Sequence, residues 1–115
     1  MSCVLELLGA VRMSREAYER FAECARELLA SFDCAEYLEG RGEAVVHRFG
    51  PSCGAEEEVV ALLARFKDRD GLDAVEWFGE SGRGRYYVGR GRWCRVEAVI
   101  PPPPPEDSPQ WREEG

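Results

Sequence analysis

The segment SREAYERFAECARELL, residues 14–29, carries the clearest helical pattern in the chain. Ser14 stands where a helix N-cap belongs, and Glu16 lies in the first turn, where an acidic side chain favours the positive end of the helix dipole. Charged residues fill one side of the predicted helix, and the other side carries an apolar stripe of Ala17, Phe21, Cys24, Ala25, Leu28 and Leu29. We expect this stripe to pack on a sheet, because a helix that is apolar on one side must bury that side against another layer.

Strand-like segments flank this helix on both sides. Residues 3–11 are short, apolar and typical of a buried strand, and residues 34–39 and 44–49 are two strand candidates joined by a glycine-containing turn. A second amphipathic helix is predicted after Gly50-Pro51-Ser52, with its C-terminal stop at Gly71. Its apolar stripe consists of Ala55, Val59, Leu62, Leu63 and Phe66.

The remaining pattern predicts three more strands and, with them, the fold class. Residues 72–80 alternate in polarity, and residues 85–89 and 92–100 are joined by a two-residue loop in which Gly91 can take the positive φ of a tight hairpin. The order is β-α-β-β-α-β-β, which predicts an α+β two-layer sandwich with two helices on one face of a mainly antiparallel sheet. It contains the β-α-β-β-α-β repeat of the ferredoxin-like plait, with an added C-terminal hairpin.

The length and the C-terminal composition indicate one domain followed by a tail. A chain of 115 residues fits a single core, which we place in residues 1–100. Five prolines at 101–105 lack amide donors and favour polyproline II, so residues 101–115 are predicted to be extended or disordered. Trp111 is either an anchor that binds in a partner's groove or part of a terminus that has no binding role.

Charge, hydropathy and cysteine spacing disfavour several classes of function. The net charge of -7 disfavours broad attraction to nucleic acid or anionic lipid. No apolar run approaches the roughly 20 residues that span a bilayer, and the first residues lack a secretory pattern, which predicts a cytoplasmic protein without a membrane partner. The five cysteines are scattered without a Cys-x-x-Cys pair, so neither a metal site nor a cofactor is predicted.

The most suggestive segment is RGRYYVGRGRWCR, residues 83–95, which combines five arginines with two tyrosines and a tryptophan. Phosphate-pairing charge beside rings on which bases can stack predicts nucleic-acid binding as one hypothesis. Arg83-Gly84 and Tyr87-Val88 resemble part of the sheet motif of RNA-recognition domains, and Arg85 and Tyr86 depart from that motif. The alternative is a hairpin whose arginines pair with glutamates across neighbouring strands, and the acidic net charge favours this alternative.

A second hypothesis concerns a thiol. Cys53 is predicted at the N-terminus of the second helix, where backbone amides and the helix dipole can lower a thiol pKa, and His47 lies six residues upstream as a candidate base. Glu56, Glu57 and Glu58 follow Cys53 directly and disfavour a thiolate. No pair of residues stands out as catalytic, so a thiol-dependent enzyme is the third-ranked function.

The leading hypothesis is a small non-enzymatic binding or regulatory protein that acts through an aromatic sheet face or edge. Sheet alternation must place some rings of the last strands away from the helices, and an exposed aromatic face usually meets a partner. The partner is then an unidentified protein or a second copy in a dimer, with nucleic acid as the alternative. The candidate binding residues are Trp77, Phe78, Arg85, Tyr86, Tyr87, Arg90, Arg92 and Trp93.

Overall fold

The computed structural model of the chain describes residues 4–52, 55–80, 82–99 and 101–114. These residues form a six-stranded sheet and three helices, an α+β architecture. In chain order the elements are β1 (Val4–Arg12), α1 (Arg15–Cys24), α2 (Arg26–Leu29), β2 (Cys34–Leu38), β3 (Glu43–Ser52), α3 (Ala55–Phe66), β4 (Asp73–Gly79), β5 (Arg83–Gly89) and β6 (Arg92–Glu97).

The sheet has the strand order β2-β3-β1-β4-β5-β6, and each neighbouring pair is antiparallel. β1 lies in the interior of the sheet, where Leu7 is opposite Arg48 of β3 and Trp77 of β4. The register shifts by one residue between Val4 and Glu6, so both of these residues stand at an irregularity in the two ladders. The strands β2 and β6 form the two edges.

One face of the sheet is covered by the helices, and the core lies between the two layers. Phe21 of α1 and Leu63 of α3 are fully buried together with Leu7, Val46 and Tyr86 of the strands. These residues belong to one cluster of buried apolar side chains. The predicted stripes on the two long helices therefore face the same side of one sheet.

The first helical segment is divided, although its pattern predicts one helix over residues 14–29. Ser14 is the N-cap, and its hydroxyl accepts a hydrogen bond from the Ala17 amide at 3.1 Å. The helix ends at Ala25, whose φ of -97° and ψ of 7° leave the helical region. Ala25 is fully buried, whereas Cys24 is exposed. The prediction that Cys24 belongs to the buried stripe is therefore wrong.

Two predicted glycine positions have the backbone conformation that the turns require. Gly91 has φ 72° in the loop between β5 and β6, and Gly71 has φ 94° after α3. The Gly91 amide also donates to the Ala64 carbonyl of α3 at 2.8 Å, which fixes the C-terminal hairpin against the helix layer. This hairpin therefore extends the sheet beneath α3.

The proline-rich segment forms neither helix nor strand over residues 101–114. The indole Nε1 of Trp111 donates to the Pro105 carbonyl at 2.8 Å, and the Ser108 amide donates to the same carbonyl at 2.9 Å. Trp111 remains 48% exposed, so its ring turns back on its own segment without entering the core.

Candidate functional site: the open face of the sheet

The face of the sheet opposite the helices is uncovered in the described part of the chain. Strand pairing places its side chains in rows that cross the sheet from edge to edge. The central row runs from β2 to β6 through Cys34, His47, Leu8, Glu76, Arg85 and Val96. A second row runs through Glu36, Val45, Ala10, Ala74, Tyr87 and Cys94. We call this surface the open face.

Large apolar side chains on the open face are exposed to an unusual degree. Phe49 is 72% exposed, Val96 46% and Leu8 44%. Phe78 and Tyr87 are partly exposed on the same side. Single apolar residues on a surface need no explanation, but a group of them across several strands marks a contact surface.

Charges on the open face occur as neighbouring opposites. The Nε2 atom of His47 lies 2.8 Å from the Glu6 carboxylate, and an Arg85 guanidinium nitrogen lies 3.2 Å from the Glu76 carboxylate. Arg83 stands opposite Phe78 in the next row and adds a cation to this side. The face therefore lacks the strong negative charge that the whole chain carries.

A groove of about 400 Å³ lies on the open face of the last three strands, between the Glu76–Arg85 pair and the ring of Phe78. A second hollow of about 350 Å³ is lined by Leu72, Tyr87, Trp93 and Cys94, together with Arg92. Tyr87 lines both hollows, so its ring stands between them. The open face thus carries one shallow recess over the last three strands, and the second hollow lies at the β6 edge, where it reaches Trp93.

The predicted binding residues are divided between the two faces of the sheet. Phe78, Arg85 and Tyr87 lie on the open face, as the alternation along β4 and β5 predicts. Trp77 is only 3% exposed and Tyr86 is fully buried, so both rings belong to the core beneath α3. Their burial removes them from any contact surface of the folded chain.

The remaining ring, Trp93, lies on the helix side at the sheet edge. It is 37% exposed, and its ring centre is 5.8 Å from that of Tyr86. The guanidinium of Arg95 lies 4.2 Å from the Trp77 ring centre and 3.6 Å from the Glu57 carboxylate of α3. Burial raises the pKa of the Tyr86 hydroxyl, which also lies 3.4 Å from Glu57. This cluster closes the core at the β6 edge and is structural.

Ion pairs hold three of the five arginines in residues 83–95. Arg85 pairs with Glu76, Arg95 with Glu57, and Arg90 with Asp70 at 3.1 Å. Within the described residues, Arg83 and Arg92 have no acidic partner. Only Arg85–Glu76 is the predicted kind of pair, a cross-strand pair with a glutamate, because Glu57 belongs to α3 and Asp70 precedes β4. The hairpin offers two unpaired cations, Arg83 and Arg92, to a phosphate backbone.

The thiol hypothesis concerns Cys53, which lies outside the residues that the structure describes. His47 is paired with Glu6 on the open face, and the cysteine opposite it in the sheet is Cys34 of β2. Burial and the neighbouring Glu36 carboxylate raise the pKa of the Cys34 thiol, which disfavours the reactive thiolate.

Sequence reasoning missed Leu8, Phe49 and Val96 as surface residues. Phe49 continues the alternation of Val45 and His47, so its position on one face was available from the pattern of β3. Leu8 lies between the core residue Leu7 and Gly9 in an apolar run, which does not reveal the exposed side. Only the pairing of β1 between β3 and β4 identifies that side.

Neither metal-binding nor membrane features accompany this surface in residues 4–52, 55–80, 82–99 and 101–114. Those residues contain no group of three His, Cys, Asp or Glu side chains that could hold a metal ion, and none of their helices is long and apolar enough to cross a membrane. Comparison with protein-family models, with curated proteins and with solved structures finds no match to this chain. The fold and the site define it as an α+β sandwich with an exposed apolar sheet face.

Proposed function

We propose that this chain is a non-enzymatic protein-binding module that contacts its partner through the open face of the sheet. The observation that carries the proposal is the exposure of Leu8, Phe49 and Val96 on one side of the sheet, with Phe78 and Tyr87 beside them. Burying such side chains gains roughly 25 cal/mol for each Å² of apolar surface removed from water. This gain supports docking of a partner that covers several strands at once.

The chemistry of the open face supports a protein partner with an apolar contact surface. Small-molecule sites are concave and enclose most of their ligand, whereas this surface is a sheet face with one shallow recess. Four of its charged groups are already paired in Glu6–His47 and Glu76–Arg85, so a partner need not supply compensating charge to these. Aromatic side chains such as those of Phe49, Phe78 and Tyr87 are enriched at the centre of protein interfaces.

We also propose a ferredoxin-like topology for residues 4–79. The helices α1 and α2 connect β1 to β2, and β3 lies between these two strands in the sheet. In the same way α3 connects β3 to β4, and β1 lies between β3 and β4 in the sheet. Both β-α-β units are therefore split by an inserted strand, which supports the ferredoxin-like description. The hairpin of β5 and β6 then extends the sheet beyond β4 and widens the open face.

Affinity capture with matched variants tests the proposed function. Leu8→Lys and Phe49→Lys each place a charge on the open face, and Ala30→Lys places the same charge at an exposed position after α2, on the helix side. The chains are immobilised and used to capture proteins from a lysate of the cells that encode the gene. We expect a protein that is retained by the unaltered chain and by Ala30→Lys but is lost from both open-face variants.

The captured protein is then purified, and its affinity is measured by calorimetry with all four chains. We expect each open-face change to weaken binding by at least about tenfold, which corresponds to about 1.4 kcal/mol. Thermal unfolding shows that the variants are folded. A partner whose affinity falls only with Ala30→Lys would contradict the proposal, as would a captured protein that all four chains bind equally.

A further inference from the structure

The edge strand β6 leaves a row of backbone hydrogen-bonding groups without a partner strand. All six of its residues are exposed, and β5 is its only neighbour among the described strands. In an antiparallel pair, alternate residues bond to the neighbouring strand and the residues between them point away. The Ala98 amide donates to Arg83 of β5 at 2.8 Å, so the even-numbered residues of β6 face β5. The amides and carbonyls of Trp93, Arg95 and Glu97 therefore point outward.

This edge lacks several devices that usually block strand pairing. β6 is six residues long and has no proline, and its inward-pointing Arg95 is held between Glu57 and the Trp77 ring. The opposite edge, β2, is shorter at five residues. β6 is consequently the better candidate for pairing with another strand.

We infer that β6 pairs antiparallel with β6 of a second copy of this chain, about a two-fold axis perpendicular to the sheet. Such an axis keeps the helices of both copies on the same side, so helix-side residues must oppose helix-side residues. Two registers satisfy this condition with five pairs inside the strand, one centred on Arg95 and one on Cys94. The register centred on Arg95 places two arginines directly opposite each other, which is destabilising.

The register centred on Cys94 is self-complementary. It places Trp93 of each copy opposite Arg95 of the other on the helix side, where a guanidinium can stack on the indole ring. On the open face it places Arg92 opposite Val96, and the two Cys94 residues opposite each other. The pairing satisfies the outward backbone groups of Trp93 and Arg95, covers the partly exposed Trp93 ring and joins two six-stranded sheets into one of twelve strands.

The dimer does not depend on the proposed docking role, because edge pairing leaves the open faces of both copies uncovered. It would place two docking surfaces side by side on one continuous sheet. A failure of the dimer therefore leaves the proposed function untouched, and the two are tested by different variants.

Two substitutions at one position test the inference and its register. Trp93→Arg removes the ring and opposes two arginines across the axis, whereas Trp93→Glu removes the same ring and opposes a glutamate to Arg95. Sedimentation equilibrium over a range of chain concentrations measures the dimer dissociation constant, and thermal unfolding establishes that each variant is folded. We expect the unaltered chain and Trp93→Glu to dimerise and Trp93→Arg to raise the dissociation constant at least about tenfold relative to Trp93→Glu.

Cysteine trapping gives an independent measurement. Opposed residues in a non-hydrogen-bonded antiparallel pair have Cα atoms about 4.5 Å apart, within the reach of a disulfide. We expect the oxidant diamide to convert the two Cys94 thiols into one reducible intermolecular disulfide in the unaltered chain and in Cys24→Ser, whose cysteine is the matched exposed control, but not in Cys94→Ser. A monomer at every concentration would overturn the inference. So would a dimer that is weakened by Leu8→Lys and not by Trp93→Arg.

Discussion

The ammonium nitrogen of Lys67 lies 2.7 Å from Oδ2 of Asp73, and the Lys67 side chain is fully buried. The other Asp73 oxygen accepts a hydrogen bond from Nε of Arg12 at 2.8 Å. Lys67 follows α3, Asp73 begins β4 and Arg12 ends β1, so this group of charges ties three elements together at one end of the sheet. Since Lys67 is the only lysine in the chain, its position in the core is unlike that of an ordinary surface cation.

Substitution of Asp73 should destabilise the fold through Lys67. Asp73→Asn leaves a buried ammonium without its carboxylate, and loss of one partner of a buried pair costs about 3 kcal/mol or more. Asp70→Asn is the matched control, because Asp70 pairs with Arg90 on the surface, where an ion pair contributes about 0.5 kcal/mol. Urea unfolding measures both values. Equal losses for the two variants would contradict this description of the Lys67–Asp73 pair.

The Lys67–Asp73 pair should make the stability of the fold fall at acidic pH. Burial alone would raise the pKa of Asp73, but hydrogen bonds from Lys67 and Arg12 outweigh it and lower this pKa below its ordinary value. Because the folded pKa lies below the unfolded value of about 3.9, the stabilisation is fully present above that pH and is lost as pH falls through the folded pKa. Urea midpoints measured from neutral to acidic pH should fall less steeply for Asp73→Asn than for the unaltered chain. Parallel curves would exclude Asp73 as a source of the acid sensitivity.

Gly84 should tolerate no side chain. A Cβ atom at this position would lie 2.0 Å from the Val96 carbonyl oxygen and 2.8 Å from the Trp77 ring, so either β6 or the core must shift. We expect Gly84→Ala to lower the free energy of unfolding by at least about 2 kcal/mol. Gly40→Ala, whose Cβ would meet nothing within 4 Å, should change it by less than about 0.5 kcal/mol. Thermal or urea unfolding of both variants provides the comparison.

The hairpin of β5 and β6 should bind nucleic acid poorly. Three of its five arginines are paired with acids, and the chain carries a net charge of -7. We expect fluorescence anisotropy with single-stranded DNA and RNA to show no saturable binding at low salt. Binding that weakens steeply with salt, and further in a variant combining Arg85→Glu, Arg90→Glu and Arg92→Glu, would instead support the nucleic-acid hypothesis.

Local patterns were sufficient to predict most of the secondary structure. The Ser14 N-cap, the apolar stripes of α1 and α3, and the glycine turn at Gly91 each depend on residues close together in the chain, and each was predicted. The break at Ala25 was not predicted, because Ala is compatible with a helix and the deviation accompanies its burial in the core.

The composition of the open face was harder to predict, because it depends on long-range strand pairing. In β4 and β5 alternation is informative, because Phe78 shares its side with Glu76 and Tyr87 shares its side with Arg85. That Leu8 and Phe49 lie on the same face is evident only when β1 is placed between β3 and β4. The pairing of distant strands therefore decides which apolar side chains of β1 and β3 join these rings on the open face.

Site-specific photo-crosslinking in the cells that encode the gene tests the docking role of the open face most directly. The photoreactive residue p-benzoylphenylalanine is placed at Phe49 on the open face in one chain, and at the exposed Arg20 of α1 in a second. We predict that illumination links a second protein to the chain labelled at Phe49 and that Leu8→Lys abolishes this product. A product formed only from the chain labelled at Arg20 would contradict the account.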